Sequence, residues 1–183
     1  MKQQSTQRRE RFEALFERYQ GNIAAYAMRR APGGLVDDVV EDTFLVAWRS
    51  LDRLPEDPLP WLYGVARRVL ANDRRAQRRR AALGERLSRE PAPPAAPAAF
   101  DASVSEPLRS ALLALSARER EALLLVAWEG LTPAQAAIAA GCADAAMRVR
   151  LHRARRALAR ALTPAADAAA TDADQLEPAR ETP

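Results

Sequence analysis

Residues 132–160 read TPAQAAIAAGCADAAMRVRLHRARRALAR, and this stretch decides the fold. Thr132 is followed three residues later by Gln135, with Pro133 between them. That is a helix start: the hydroxyl and the side-chain amide satisfy backbone groups that a first turn leaves unpaired, and proline there gives up a donor that would have no partner. A helix of about eight residues then stops at Gly141, a residue that accepts the left-handed conformation of a helix end. Asp144 is expected to cap a second, longer helix reaching about Leu162. On that helix Met147, Leu151, Ala154 and Leu158 share one face. Arg148, Val149, His152, Arg153, Arg156 and Arg160 fall on the other. Two helices joined by a short glycine turn form a helix-turn-helix, whose second helix enters the DNA major groove. Near its start, Arg148, Val149 and His152 are candidates for base edges, and an arginine can hold guanine O6 and N7 with two hydrogen bonds. Arg153, Arg156 and Arg160 are phosphate candidates.

Upstream, Ser116-Ala-Arg-Glu119 repeats the capped start, and Leu123, Leu124 and Val126 continue that helix to a stop at Gly130. Pro107 opens a further helix carrying Leu108, Leu112 and Leu115. Before it, residues 84–106 hold Pro91, Pro93, Pro94 and Pro97 among alanines, which predicts a semi-extended tether. Residues 1–83 carry three helical stripes. Phe12, Leu15, Phe16, Tyr19, Ile23 and Tyr26 recur at three- and four-residue steps until Ala31-Pro32-Gly33-Gly34. Val36, Val40, Phe44, Ala47, Trp48 and Leu51 form the second stripe, and Pro55, Pro58 and Pro60 predict a loop after it. The third stripe begins at Trp61, Leu62, Val65, Ala66, Val69 and Leu70 and runs into a basic stretch ending at Arg80. Its Arg67, Arg74 and Arg78 share one side, a line of guanidinium groups suited to a phosphate backbone.

The expected architecture is therefore all-α: two small helical domains (1–83 and 107–162) joined by a Pro/Ala-rich linker, with a disordered acidic tail at 163–183. The net charge of +4 hides a strong pattern. Residues 1–83 carry 16 basic and 11 acidic side chains and residues 107–162 carry 9 and 4, whereas linker and tail are both net acidic. Asp37, Asp38, Glu41 and Asp42 crowd the start of the second helix. Carboxylates repel phosphate, so that surface suits a protein partner with a basic face. Aromatic residues are only 5%, which predicts small cores lined by leucine, valine and alanine.

Composition excludes several classes. One cysteine (Cys142) builds no disulfide framework within the chain, and with one histidine (His152) it falls short of the common zinc sites. No nucleophile–base pair or Gly-rich phosphate loop is visible, so no enzyme and no cofactor is expected. No apolar run approaches the roughly 18–20 residues that span a bilayer, and the start MKQQSTQRRERF lacks the apolar stretch of a secretory signal. A cytoplasmic protein without membrane insertion is expected. A stand-alone helix-turn-helix regulator is the competing reading; it predicts a dimer that binds its operator alone.

Three stretches resemble one family. Asp38-Val-Val-Glu-Asp-Thr-Phe-Leu-Val-Ala-Trp48 is similar to the D-L-V-Q-E-T-F-L-R-A-W segment of bacterial RNA polymerase sigma factors. Trp61-Leu-Tyr-Gly-Val-Ala-Arg-Arg-Val-Leu-Ala-Asn-Asp-Arg-Arg75 resembles their W-L-x-x-I-A-R-N-x-x-x-D-x-x-R helix. Glu129-Gly-Leu-Thr through Arg148-Val-Arg-Leu-His-Arg-Ala-Arg155 resembles their E-G-L-S…V-R-S-R-L-H-R-A-R segment. Two such blocks look like the extracytoplasmic-function (ECF) group, which keeps conserved regions two and four. The resemblance implies a transcription initiation factor that binds core RNA polymerase, directs it to specific promoter DNA and helps open it. It implies polymerase contact by Asp38, Glu41, Asp42, Leu45 and Trp48, with Phe44 and Trp48 also expected to pack in the core. It implies minus-ten reading by Arg67, Asn72, Arg74, Arg75 and Arg78, capture of a flipped base by the loop 52–60, and minus-thirty-five reading by the last helix. An anti-sigma factor is a further candidate partner. Arg68 stands where the family often has asparagine, and Ala145-Ala146 where it has Gly-Thr.

Overall fold

The computed structural model describes residues 2–31, 34–88 and 104–163. Every regular element among them is helical: α1 (Lys2–Met28), α2 (Val36–Arg49), a 3₁₀ turn (Leu51–Arg53), α3 (Leu59–Ser88), α4 (Glu106–Ala114), α5 (Ala117–Ala127), α6 (Pro133–Ala140) and α7 (Asp144–Leu162). The prolines of the expected linker and the tail beyond Thr163 lie outside the described residues. The third helix is longer than its stripe implied. It starts at Leu59, takes Pro60 into its first turn and continues past Arg80 to Ser88, because arginine and alanine are strong helix formers.

The short helices of the second block are fixed by local chemistry. Ser116 and Glu119 form a reciprocal capping box at the start of α5, and Thr132 and Gln135 do the same for α6. Gly141 ends α6 with φ +64°, a left-handed conformation that favours glycine. The amide of Cys142 closes the turn on the Ala137 carbonyl at 3.0 Å. One expected cap is replaced. Ala143 is the N-cap of α7 and offers no side-chain bond, while Asp144 is its first residue and pairs with Arg148 one turn on. An acid in the first turn still favours the helix through the positive end of its dipole.

The first block is more aromatic than the overall composition predicts. Eight of the chain's ten aromatic residues lie between Phe12 and Trp61 or at Tyr63. Phe16 meets Phe44 edge-on with ring centroids 4.8 Å apart, and Phe12 meets Trp48 in the same way at 5.1 Å. Phe44 is buried in the core as expected, whereas Trp48 is half-buried and rests on Phe12 at the edge of that cluster rather than within it. Tyr26, Ile23, Leu62 and Tyr63 are fully enclosed.

The two blocks do not stand apart. One continuous apolar cluster joins Ile23, Tyr26, Leu62 and Ala66 of the first block to Ala122, Leu125, Ala136, Ala139, Met147 and Leu151 of the second. A smaller cluster around Leu112, Leu115 and Ala154 seats α4 on α7. The junction is α6 lying on α3. Gly64 permits it: a Cβ at that position would stand 3.3 Å from the Ala139 carbonyl oxygen. The alanines of α6 give the opposite surface no bulk, so the two backbones approach closely.

Candidate nucleic-acid interface and apolar groove

α7 presents its arginines as the helical pattern predicts. Met147, Leu151 and Ala154 are buried, whereas Arg148, Val149, His152, Arg153, Arg156 and Arg160 are exposed. Val149 is half exposed although apolar, the kind of side chain that can meet a thymine methyl group. Arg148 pairs with Asp144, which holds its guanidinium near the start of the helix. The other four cationic or polar candidates make no hydrogen bond or ion pair within the protein among the described residues.

α3 treats its arginines differently. Arg67 is half-buried, and its Nε donates to the Ala139 carbonyl of α6 at 3.2 Å. Arg74 donates from Nη2 to the Arg30 carbonyl at 2.7 Å. Arg75 donates to Asn72 Oδ1 at 2.6 Å, which ties two of the candidates to each other. Arg78 is exposed. The expected line of guanidinium groups exists, but its upper end is engaged by the second block.

The acidic helix α2 borders a groove of about 630 Å³ lined by Phe12, Phe16, Val40, Phe44, Leu45 and Trp48, with Asp37 and Glu41 on its rim. Leu45 is exposed, as are Asp38, Glu41 and Asp42. Arg8 fastens the groove's end: it lies 5.1 Å over the Trp48 ring, donates to the Trp48 carbonyl at 2.9 Å and pairs with Asp52 at 2.9 Å. The loop after α2 is tied to the second block by Gln135, whose Nε2 donates to Asp57 Oδ2 at 2.8 Å. No group of three or more residues suited to a metal ion occurs among the described residues.

The most engaged arginines are ones that no motif singled out. Arg30 is 6% exposed and meets Glu121 at 3.2 Å and Glu129 at 2.8 Å, while its guanidinium stacks 3.8 Å over the Tyr26 ring. Arg29 pairs with the same Glu129. The Tyr26 hydroxyl donates to Glu121 Oε1 at 2.9 Å. Burial holds the Tyr26 phenol well above its usual range, and the Glu121 carboxylate adds to this. These partners lie 91–100 residues apart in the chain, so periodicity and local spacing carry no trace of them.

Two family models divide the chain along the same lines. Residues 15–80 match sigma-70 region 2, and residues 105–158 match sigma-70 region 4. The ECF RNA polymerase sigma factor SigL of Mycobacterium tuberculosis is 30% identical over 150 residues, covering 79% of this chain and 85% of that one. The chain belongs to the ECF sigma factors. A probable sigma factor, RfaY of Xanthomonas campestris, is 34% identical over 127 residues, but the match spans only 32% of that protein's length. Among solved structures, CnrH in complex with the cytosolic domain of CnrY aligns with a TM-score of 0.52 and 28% identity, over 90% of this sigma factor and 89% of CnrH. In this sigma factor, α1–α3 thus form the region-two block and α4–α7 the region-four block, with α6 and α7 as the helix-turn-helix. No described helix is long and apolar enough to cross a membrane.

Proposed function

We propose that this sigma factor binds core RNA polymerase through the α1–α2 groove and its acidic rim, reads promoter DNA with α3 and α7, and helps open it. In this reading residues 1–83 hold polymerase and the minus-ten element, the expected linker 84–106 tethers the blocks although α3 takes its first residues up to Ser88 and α4 its last, Glu106, 107–162 hold the minus-thirty-five element, and 163–183 form an acidic tail. The factor acts in the cytoplasm, where polymerase and chromosome are.

The observation that carries the reading is a separation of chemistries. Carboxylates surround an apolar groove on α2, while free guanidinium groups cover α7. Phosphate is repelled by the first surface and attracted by the second. Asp38, Glu41, Asp42, Leu45 and Trp48 suit a protein with a basic, partly apolar face. Arg148, Val149 and His152 suit base edges, and Arg153, Arg156 and Arg160 suit phosphates. Arg67, Asn72, Arg74, Arg75 and Arg78 suit the minus-ten strand. Parting DNA costs about 1–2 kcal/mol of stacking per base-pair step, and a base held by the loop 52–60 offsets part of that cost. The solved complex of CnrH with the cytosolic domain of CnrY supports a second protein partner, for which we propose an anti-sigma factor.

The test is co-elution with bacterial core RNA polymerase on a sizing column. A stoichiometric complex is expected, weakened by Leu45→Arg. A chain that elutes free of polymerase and shifts specific DNA alone would replace this reading with the stand-alone regulator.

A further inference from the structure

The two blocks meet through charge as well as apolar packing. Glu121 and Glu129 of the second block lie on Arg29 and Arg30 of the first, with the Glu129 side chain only 1% exposed. The site is continuous with α3, because Arg74 is bonded to the Arg30 carbonyl. Its donors are not all used: Arg30 Nη2 and Arg29 Nε are buried without an acceptor. Two guanidinium forks carrying unspent donors match the charged oxygens of phosphodiesters as well as they match carboxylates. The contact is also poised to release. Removing two charges from water nearly cancels their attraction, so such a buried pair contributes little net stability while both partners are present.

The closed arrangement withdraws part of α3 from solvent. α6 covers the face of α3 at Gly64, and Arg67 is spent on the Ala139 carbonyl. We propose that Glu121 and Glu129 are internal substitutes for DNA phosphates: they occupy Arg29 and Arg30 in the closed form, and DNA takes over these two arginines when the second block leaves α3. This rests on the reading of α3 as a DNA-facing helix. It adds Arg29 and Arg30 to the backbone-binding surface, next to Arg74, and makes the free factor mask its own region-two site.

The experiment uses the full chain and non-specific duplex DNA, with binding followed by fluorescence anisotropy across a salt series and size by small-angle X-ray scattering. Glu121→Gln/Glu129→Gln leaves two buried cations uncompensated, so the blocks should part and the radius of gyration rise. Affinity should then increase, and the log–log salt slope should steepen by about 3, the signature of three further phosphates neutralised by Arg29, Arg30 and the Arg67 that parting also frees. Arg29→Ala/Arg30→Ala should open the chain equally but steepen the slope by only about 1, from the freed Arg67. A glutamate variant that opens with a slope no steeper than that of the arginine variant would reduce the two arginines to structural partners and overturn the proposal. An unchanged radius would overturn it as well, since the pair would then not hold the blocks together. Far-UV circular dichroism checks folding, and the single Glu129→Gln variant serves if the double variant loses helix. Polymerase co-elution of the wild-type chain is independent of all these outcomes, so failure here leaves the proposed function standing.

Discussion

α3 and α7 are both long, both rich in arginine and both amphipathic, yet they hold their charges in different states. On α7 only Arg148 has an ionic partner among the described residues, and that partner is on its own helix. On α3, Arg67 and Arg74 are bonded to backbone carbonyls of α6 and of the segment after α1, and Arg68 to the carbonyl of Gly64. The difference does not come from composition. It comes from what each helix packs against. α7 lays its apolar face on α4, α5 and α6 and leaves its basic face in water, whereas α3 is covered from both sides by α1, α2 and α6. A basic stripe in a sequence is therefore a statement about potential, and the available charge is a property of the packing.

The largest effects should break the shared core. Leu62 on α3 and Leu151 on α7 are both buried in the cluster common to the two blocks. Leu62→Ala and Leu151→Ala should each lower the unfolding free energy by about 2–5 kcal/mol in urea, in one transition followed by circular dichroism. Two separate transitions would show that α3 and α7 belong to independent cores.

Next in size is discrimination by α7. Arg148→Ala should relax preference at one minus-thirty-five base pair by roughly 1–3 kcal/mol, on promoters selected with the holoenzyme. Arg160→Ala should weaken all sequences alike and lower the salt slope by about 1. Equal losses on every sequence for Arg148→Ala would assign it to phosphate instead.

Alkaline pH should loosen the contact between α1 and α5. The buried Tyr26 phenol is held above its usual range, so the stability it lends is fully present below the unfolded-state value near 10. Above that value the unfolded chain ionises first, and stability falls by up to about 1.4 kcal/mol per pH unit until the folded phenol ionises as well. Ionised Tyr26 would face Glu121, so thermal melts above pH 10 should show loss of the closed form, and Tyr26→Phe should flatten that dependence.

The smallest effect sharpens the role of α6. Thr132→Ala removes one half of the capping box and should cost about 1 kcal/mol in chemical denaturation. Because α6 is the helix seated on α3, the same change should raise the exposure of Arg67, measurable by hydrogen exchange of the α6 amides.

Much of this molecule was legible without coordinates, and the reason differs from place to place. The capped starts at Ser116 and Thr132 and the stop at Gly141 are written within four residues, so they could be read directly. The apolar and basic faces of α7 follow from helical periodicity alone. The cap expected at Asp144 fell one residue earlier, on Ala143, because caps set helix ends only to within a residue when no side-chain bond fixes them. The groove beside α2 was half legible: Phe12, Phe16, Phe44 and Trp48 stood out as helix stripes, but their assembly into a cleft did not.

By itself, then, the sequence determined what kind of element each stretch is: that it is helical, where the capped starts at Ser116 and Thr132 lie, which face is apolar, which is basic, and to which family the pattern belongs, though not how far α3 runs. These properties arise from interactions within a few residues of one another, and each leaves a periodic or local mark. Only the tertiary structure decided that the two blocks share one core, that Gly64 and the alanines of α6 bring their backbones together, and that Glu121 and Glu129 neutralise Arg29 and Arg30. Those contacts join residues about a hundred positions apart. Nothing in local spacing encodes such a pairing, because it forms only after the helices have folded and found the one arrangement that buries their remaining apolar faces.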